Sequence, residues 1–166
     1  MDVSKFSFSH KGKTLNTHIG SAPNLGNETQ YIDYFNNNDI TTIVRCCNDS
    51  EIKYNDVSFT DNSIVVIKVG LVDGSVPTTQ ITEELSELYG NSFSSQKSKT
   101  VNIFFHCVSG LGRAPTWAAY IVCKYMKVDP TDYVTVIREQ RSGAINNKQL
   151  HWIIDQKYQS SGCIIS

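Results

Sequence analysis

Residues 100–106 form a run of β-branched and aromatic side chains, and residues 115–126 carry apolar side chains at helical spacing. Between them lies His106-Cys107-Val108-Ser109-Gly110-Leu111-Gly112-Arg113. A buried strand therefore passes into a helix through one short, glycine-bearing turn. Apolar strands fed directly into amphipathic helices belong to parallel sheets covered on both faces. In such sheets ligands bind beyond the carboxyl ends of the strands, where this turn falls.

The remaining segments agree with that architecture. Residues 5–9 and 14–19, separated by Lys11-Gly12-Lys13, read as an N-terminal hairpin. Residues 28–37 read as a helix with Asn27 as its cap, and residues 41–46 and 63–69 as buried strands. Behind Pro77, Ile81, Leu85 and Leu88 predict a helix over 78–89. Residues 131–140 and 148–158 predict two closing helices. The fold class expected is α/β, a central, mostly parallel sheet flanked by helices on both faces in one domain. Its expected extent is residues 1–158, with 159–166 as a flexible tail.

The turn has the parts of a phosphate cradle. Cys107 sits at the strand end, and the backbone N–H groups of Val108, Ser109, Gly110, Leu111 and Gly112 can turn inward. Arg113 offers a planar fork to phosphate oxygens. Gly110 and Gly112 supply the backbone freedom and the close approach required. The positive end of the following helix, with Pro115 in its first turn, faces the cradle. A helix N-terminus beside a cation can lower a thiol from about 8.5 by several units, which makes Cys107 a candidate nucleophile.

Composition narrows the setting. The 166 residues are 40% hydrophobic and 19% charged, enough for one self-sufficient core. The formal net charge of −1 supplies no global field toward nucleic acid or anionic membrane, so any anion site is local. No apolar run approaches a bilayer span of about 20 residues, and none resembles a signal-peptide core. The five cysteines are Cys46, Cys47, Cys107, Cys123 and Cys163; they form neither a secreted disulfide framework nor paired C-x-x-C zinc sites. A reducing, cytoplasmic setting follows. His10, His18 and His151 have no metal-ligand spacing. No metal and no cofactor is expected.

The H-C-x5-R pattern resembles the signature of cysteine-dependent protein tyrosine phosphatases. The chain is most similar to the phosphatases of regenerating liver (protein tyrosine phosphatase type IVA), a dual-specificity-like branch. The segments carrying the resemblance are the cradle continued by Ala114-Pro115, Thr41-Thr42-Ile43-Val44-Arg45-Cys46-Cys47, and Arg141-Ser142-Gly143-Ala144-Ile145-Asn146-Asn147-Lys148-Gln149-Leu150. It spans nearly the whole chain, with a divergent middle from about 48 to 63.

The resemblance implies a phosphocysteine at Cys107, phosphate held by Arg113 and the cradle backbone, and Asp73 as general acid and then base. His106 orients the loop. Ala114 replaces the hydroxyl that ordinarily assists phosphocysteine breakdown, which implies a slow second step. Val69-Gly70 and Val72 stand where relatives have Trp-Pro and a second aspartate, so closure of the Asp73 loop differs. No lysine occupies positions 108, 109 or 111, which favours phosphoprotein substrates over inositol phosphates. The family also pairs the position of Cys47 with the nucleophile in a reversible disulfide; Cys46 is an alternative neighbour. Cys123 reads as core.

Two rival readings remain. One is a weakly active, phosphatase-like binding module engaging a cyclin-M-type magnesium-transport mediator, as relatives do; the other is a polynucleotide 5′-phosphatase, against which the near-neutral charge counts. Self-association is left open. Cys163-Ile164-Ile165-Ser166 is a prenylation box whose terminal Ser favours farnesyl, implying attachment to the cytoplasmic face of membranes. One lipid without a polybasic stretch anchors marginally, and residues 157–162 contain only one lysine. Cys163→Ser should therefore move the chain from the membrane to the soluble fraction of eukaryotic cells; unchanged fractionation would exclude the anchor.

Overall fold

A computed structural model describes residues 1–78, 82–83, 86–87 and 99–161, with side chains as far as 156. Five strands form one sheet in the spatial order β1-β2-β5-β3-β4. They are β1 (Val3–His10), β2 (Lys13–Ser21), β3 (Thr42–Arg45), β4 (Val65–Lys68) and β5 (Thr100–Cys107). Only the β1–β2 pair is antiparallel; β2–β5, β3–β5 and β3–β4 are parallel. The β1–β2 hairpin closes through Lys11 and Gly12, at φ 49° and 75°. Two consecutive positive φ values give the turn whose twist matches that of the paired strands.

The helices are α1 (Glu28–Asn37), α2 (Asp56–Thr60), α3 (Arg113–Met126), α4 (Pro130–Gln140) and α5 (Asn147–Ser161). Both sheet faces are covered, as expected. Alternation along β5 sends Val101, Ile103 and Phe105 into a core with Trp117, Ile121, Tyr133 and Ile153 of α3–α5. Phe104 enters the opposite core with Tyr31, Phe35 and Phe59 of α1 and α2. The Phe104 ring lies 5.0 Å from that of Phe35 and 5.6 Å from that of Tyr31. Trp117, fully buried, donates its indole N–H to Val69 O at 3.2 Å. Its polar edge is thus satisfied inside an apolar layer.

Strands β3 and β4 are shorter than residues 41–46 and 63–69, although single hydrogen bonds carry the pairing on at their ends, from Cys46 N–H to His106 O and from Val69 N–H to Arg45 O. Asn27 does not cap α1 through its side chain. Its Oδ1 instead accepts the N–H of Asn24 and closes the preceding loop, at 2.8 Å. Asp129 does cap α4, accepting the N–H of Thr131 at 2.9 Å. The helix α2 and a 3₁₀ turn over Asp49–Glu51 lie in the divergent middle and were not signalled by apolar periodicity. Of the helix expected over 78–89, residues 82–83 and 86–87 are helical and most of the others lie outside the described residues. The helix α5 continues to Ser161, past the expected boundary at 158. Cys163 also lies outside the described residues.

Two histidines are buried on β2 and β5. Burial, reinforced by Lys5, holds His18 at about 4. Burial holds His106 at about 3, with the Cys107 backbone opposing. Both imidazoles are therefore neutral in the folded chain near neutrality and take up protons on unfolding. With more protons bound to the unfolded state, stability must fall as pH drops below the unfolded value of about 6.5. Each histidine should contribute a slope approaching about 1.4 kcal/mol per pH unit between roughly pH 6 and 5. Urea unfolding across this range checks it, and His18→Gln should remove about half of the slope.

Candidate active site

The register of the parallel strands gathers the expected residues at one end of the sheet. Gly20 and Ser21 of β2 stand opposite His106 and Cys107, and Arg45 of β3 stands opposite His106. The chain then continues the pairing past β3, with the N–H of Cys46 donating to His106 O at 2.8 Å. Cys46, Cys47 and Cys107 are consequently buried together at the strand ends. Burial raises Cys46 far above the usual thiol range, with Cys107 and Cys47 adding to the rise. Cys47 is raised to about 11, mainly by burial, against the pull of Arg113.

Cys107 ends β5 with its side chain held inside the turn. Its Sγ accepts the N–H of Gly110 at 3.2 Å. Gly110 has φ 73°, and a Cβ there would stand 2.5 Å from Gly20 O and 2.8 Å from Arg141 Nη2. Only glycine fits both the left-handed backbone and the space. The turn is therefore moulded against the end of β2 as well as by its own sequence. Leu111 O accepts the N–H of Ile145 at 2.8 Å, which secures the far side of the turn. Val108 and Leu111 leave their side chains exposed at the rim, whereas Gly112 passes the buried Gln149 side chain.

Arg113 is the first residue of α3 and is nearly fully buried. Its Nη1 donates to both carboxylate oxygens of Glu51, at 2.9 and 2.8 Å, and to Leu71 O at 3.0 Å. Its Nε lies 3.3 Å from Asp73 Oδ1 but makes no hydrogen bond among the described residues. The Nη1 end of the guanidinium is thus fixed by the protein, while Nε faces Asp73. The hydrogen bond from Arg113, followed by that from the Asn48 backbone, lowers Glu51 from its ordinary carboxylate value. Asp73 itself is exposed, on a loop tied down where Asn146 Nδ2 donates to Gly74 O at 3.4 Å and Gln149 Nε2 to Ser75 O at 3.2 Å. The buried Ala114 brings no hydroxyl.

Beneath the turn lies a polar layer absent from the sequence expectations. Tyr54 OH and His106 Nε2 share a hydrogen bond at 2.9 Å. The buried Arg45 is bound by Asp49 and Asp56, each at 2.6 Å, and its guanidinium stands 5.9 Å from the Tyr54 ring. Asp56 is also paired with Lys68 at 2.8 Å. A buried cation without such partners would be strongly destabilising. Glu51 could have been sought from its Asn-x-x-Glu spacing, since Glu51 Oε2 accepts the Asn48 N–H at 3.0 Å. Nothing local signals Arg45 or Tyr54.

The structure therefore brings Cys107, Arg113, Asp73, His106 and Cys47 to one sheet end with the five intervening cradle residues. Among the described residues no cluster of His, Cys, Asp and Glu could hold a metal ion. No described helix is long and apolar enough to cross a membrane.

Comparison with known proteins agrees with this geometry. Residues 21–126 match the family described as "Polymorphic toxin system, DSP-PTPase phosphatase". Protein tyrosine phosphatase PRL-1 of Leishmania major is 32% identical over 153 residues, covering 89% of this chain and 86% of the relative. Protein tyrosine phosphatase type IVA 3 of Bos taurus is 35% identical over 120 residues, covering 72% of this chain and 64% of the relative. A solved protein tyrosine phosphatase structure from Leishmania major superposes with a TM-score of 0.74 at 29% identity, covering 93% of this chain and 98% of that one. The chain belongs to the PRL, or type IVA, family of protein tyrosine phosphatases, within the dual-specificity-like branch of cysteine phosphatases.

Proposed function

We propose that the chain hydrolyses phosphoprotein monoesters through a phosphocysteine at Cys107. The observation that carries this reading is the paired placement of Cys107 Sγ, bound by the Gly110 N–H, and Arg113, fixed at its Nη1 end by Glu51. The Cys107 thiolate attacks phosphorus, the S–P bond forms as the ester P–O bond breaks, and protonated Asp73 supplies the leaving oxygen's proton. Arg113 Nε and the N–H groups of residues 108–112 carry the charge on the non-bridging oxygens. Water then attacks the phosphocysteine, Asp73 accepts its proton, and inorganic phosphate leaves with the thiolate restored. His106, held neutral and bonded to Tyr54, orients the turn and is not a base.

Slow turnover is part of this proposal. Ala114 offers no hydroxyl to the departing sulfur, and Asp73 is exposed beside its residues Val72 and Gly74 rather than enclosed. The same two features support a second reading, in which the pocket's main role is to dock an acidic loop of a magnesium-transport mediator. Reversible inhibition is proposed as well: peroxide converts Cys107 to a sulfenic acid, and the thiol of Cys47 displaces water to form a disulfide. Cys46 is an alternative partner, equally buried at the same strand end. Farnesylation at Cys163 would place this activity at the cytoplasmic face of membranes.

Pre-steady-state kinetics with excess phosphotyrosine peptide under strong reductant, following the dephosphorylated peptide, test the enzyme reading. The parent chain should show a burst followed by slow release, Cys107→Ser should abolish both, and Asp73→Ala should lower the burst rate by about 10²-fold or more. Ala114→Ser should accelerate the slow phase. No burst from folded, reduced protein across several phosphorylated peptides would favour the docking reading.

A further inference from the structure

Arg141 begins the segment after α4, far in sequence from the cradle, and is nearly fully buried. Its Nε donates to Gly110 O at 3.0 Å, and its Nη2 to Ser109 O at 3.3 Å. Two successive carbonyls of the turn are thus drawn outward onto one guanidinium. In a trans peptide the N–H points opposite to the C=O, so holding the carbonyls of Ser109 and Gly110 outward turns the N–H groups of Gly110 and Leu111 inward. The Gly110 N–H, which reaches Sγ at 3.2 Å, is the visible result.

The outer edge of the same guanidinium is held by the segment at the start of β1. Arg141 Nη2 donates to Asp2 Oδ2 at 2.8 Å and Nη1 to Asp2 Oδ1 at 3.3 Å, a two-point pairing. Nη1 also donates to Ser4 Oγ and to Ile19 O, both at 3.3 Å. A two-point carboxylate fixes the plane of a guanidinium as well as its position. Asp2 O lies at Gly20 too, where a Cβ would stand 2.8 Å away, so the segment before β1 packs onto the strand end that moulds Gly110.

We infer that Asp2 is a positioning residue for oxyanion binding, acting through Arg141 on the carbonyls of Ser109 and Gly110. This inference rests on the phosphatase reading for its consequence in turnover, but oxyanion binding tests it separately. Asp2 touches neither Cys107 nor Arg113. It sets the plane of Arg141, Arg141 sets the peptides, and the peptides present their N–H groups to the bound oxygens.

The experiment measures binding of tungstate, a non-oxidising phosphate mimic, by calorimetry on the full chain, together with kcat and KM for a phosphotyrosine peptide. Asp2→Ala should weaken tungstate about tenfold or more, because small misplacements of a binding cradle are costly. Asp2→Glu should restore it to within about threefold by re-forming the pairing. Asp129→Ala, which removes the cap of α4 and lowers the melting temperature without touching the cradle, should bind tungstate like the parent. Arg141→Lys keeps the charge but loses the fork, and its combination with Asp2→Ala should be no weaker than Arg141→Lys alone.

Parent-like tungstate binding by Asp2→Ala would overturn the inference, as would additive losses in the double variant or a loss in Asp129→Ala matching that in Asp2→Ala. Should Arg141→Lys fail to fold, the contrast of Ala and Glu at position 2 decides. If the parent binds tungstate but forms no phosphocysteine, the phosphatase reading fails while the comparison at position 2 still settles the role of Asp2.

Discussion

The parallel insertion of β5 between β2 and β3 is the constraint from which the rest follows. Being central, β5 has both faces buried and both edges paired, so its carboxyl end can move little. The neighbouring strands bring Gly20, Ser21, Arg45, Cys46 and Cys47 to that end by register alone. The chain must turn immediately into α3, and within that turn the Gly110 N–H points inward to Cys107 Sγ.

Charge is concentrated where this geometry requires it. Arg45, Arg113 and Arg141 are all buried, and each is held by carboxylates that remain partly exposed. The arrangement pays the cost of burying a cation without sealing its counter-ion from water. The three play different parts: Arg45 supports the layer below His106, Arg113 joins Glu51 to the Asp73 loop, and Arg141 grips the turn from behind. Each buried guanidinium of this nearly neutral chain is thereby matched by carboxylate in its own surroundings.

Much of this was legible in the sequence. The strand-turn-helix unit around Cys107 could be read because its apolar period changes from strand-like to helical across two glycines. Helix α1 and the hairpin were legible for similarly local reasons. Glu51, Tyr54 and Arg141 were not, because their roles depend on partners distant in sequence: Arg113 meets Glu51 across 62 positions, Tyr54 meets His106 across 52 and Arg141 meets Asp2 across 139. Helix α2 has five residues, too few for an amphipathic period to repeat. Asn27 looked like a cap because Asn caps helices often, but its oxygen found a nearer donor in the loop before it.

The tight contact between Gly110 and Gly20 has a consequence for how such a site can be moved or inherited. A side chain at Gly110 of the turn would collide with Gly20 O at the end of β2, and one at Gly20 would collide with Asp2 O before β1. The eight residues from His106 to Arg113 are therefore only half of a lock, and their shape is borrowed from the hairpin. Transplanting them into another strand–helix crossover would carry the chemistry's letters but leave the mould behind; a functional graft would need the end of β2 and the arginine behind the turn to travel with them.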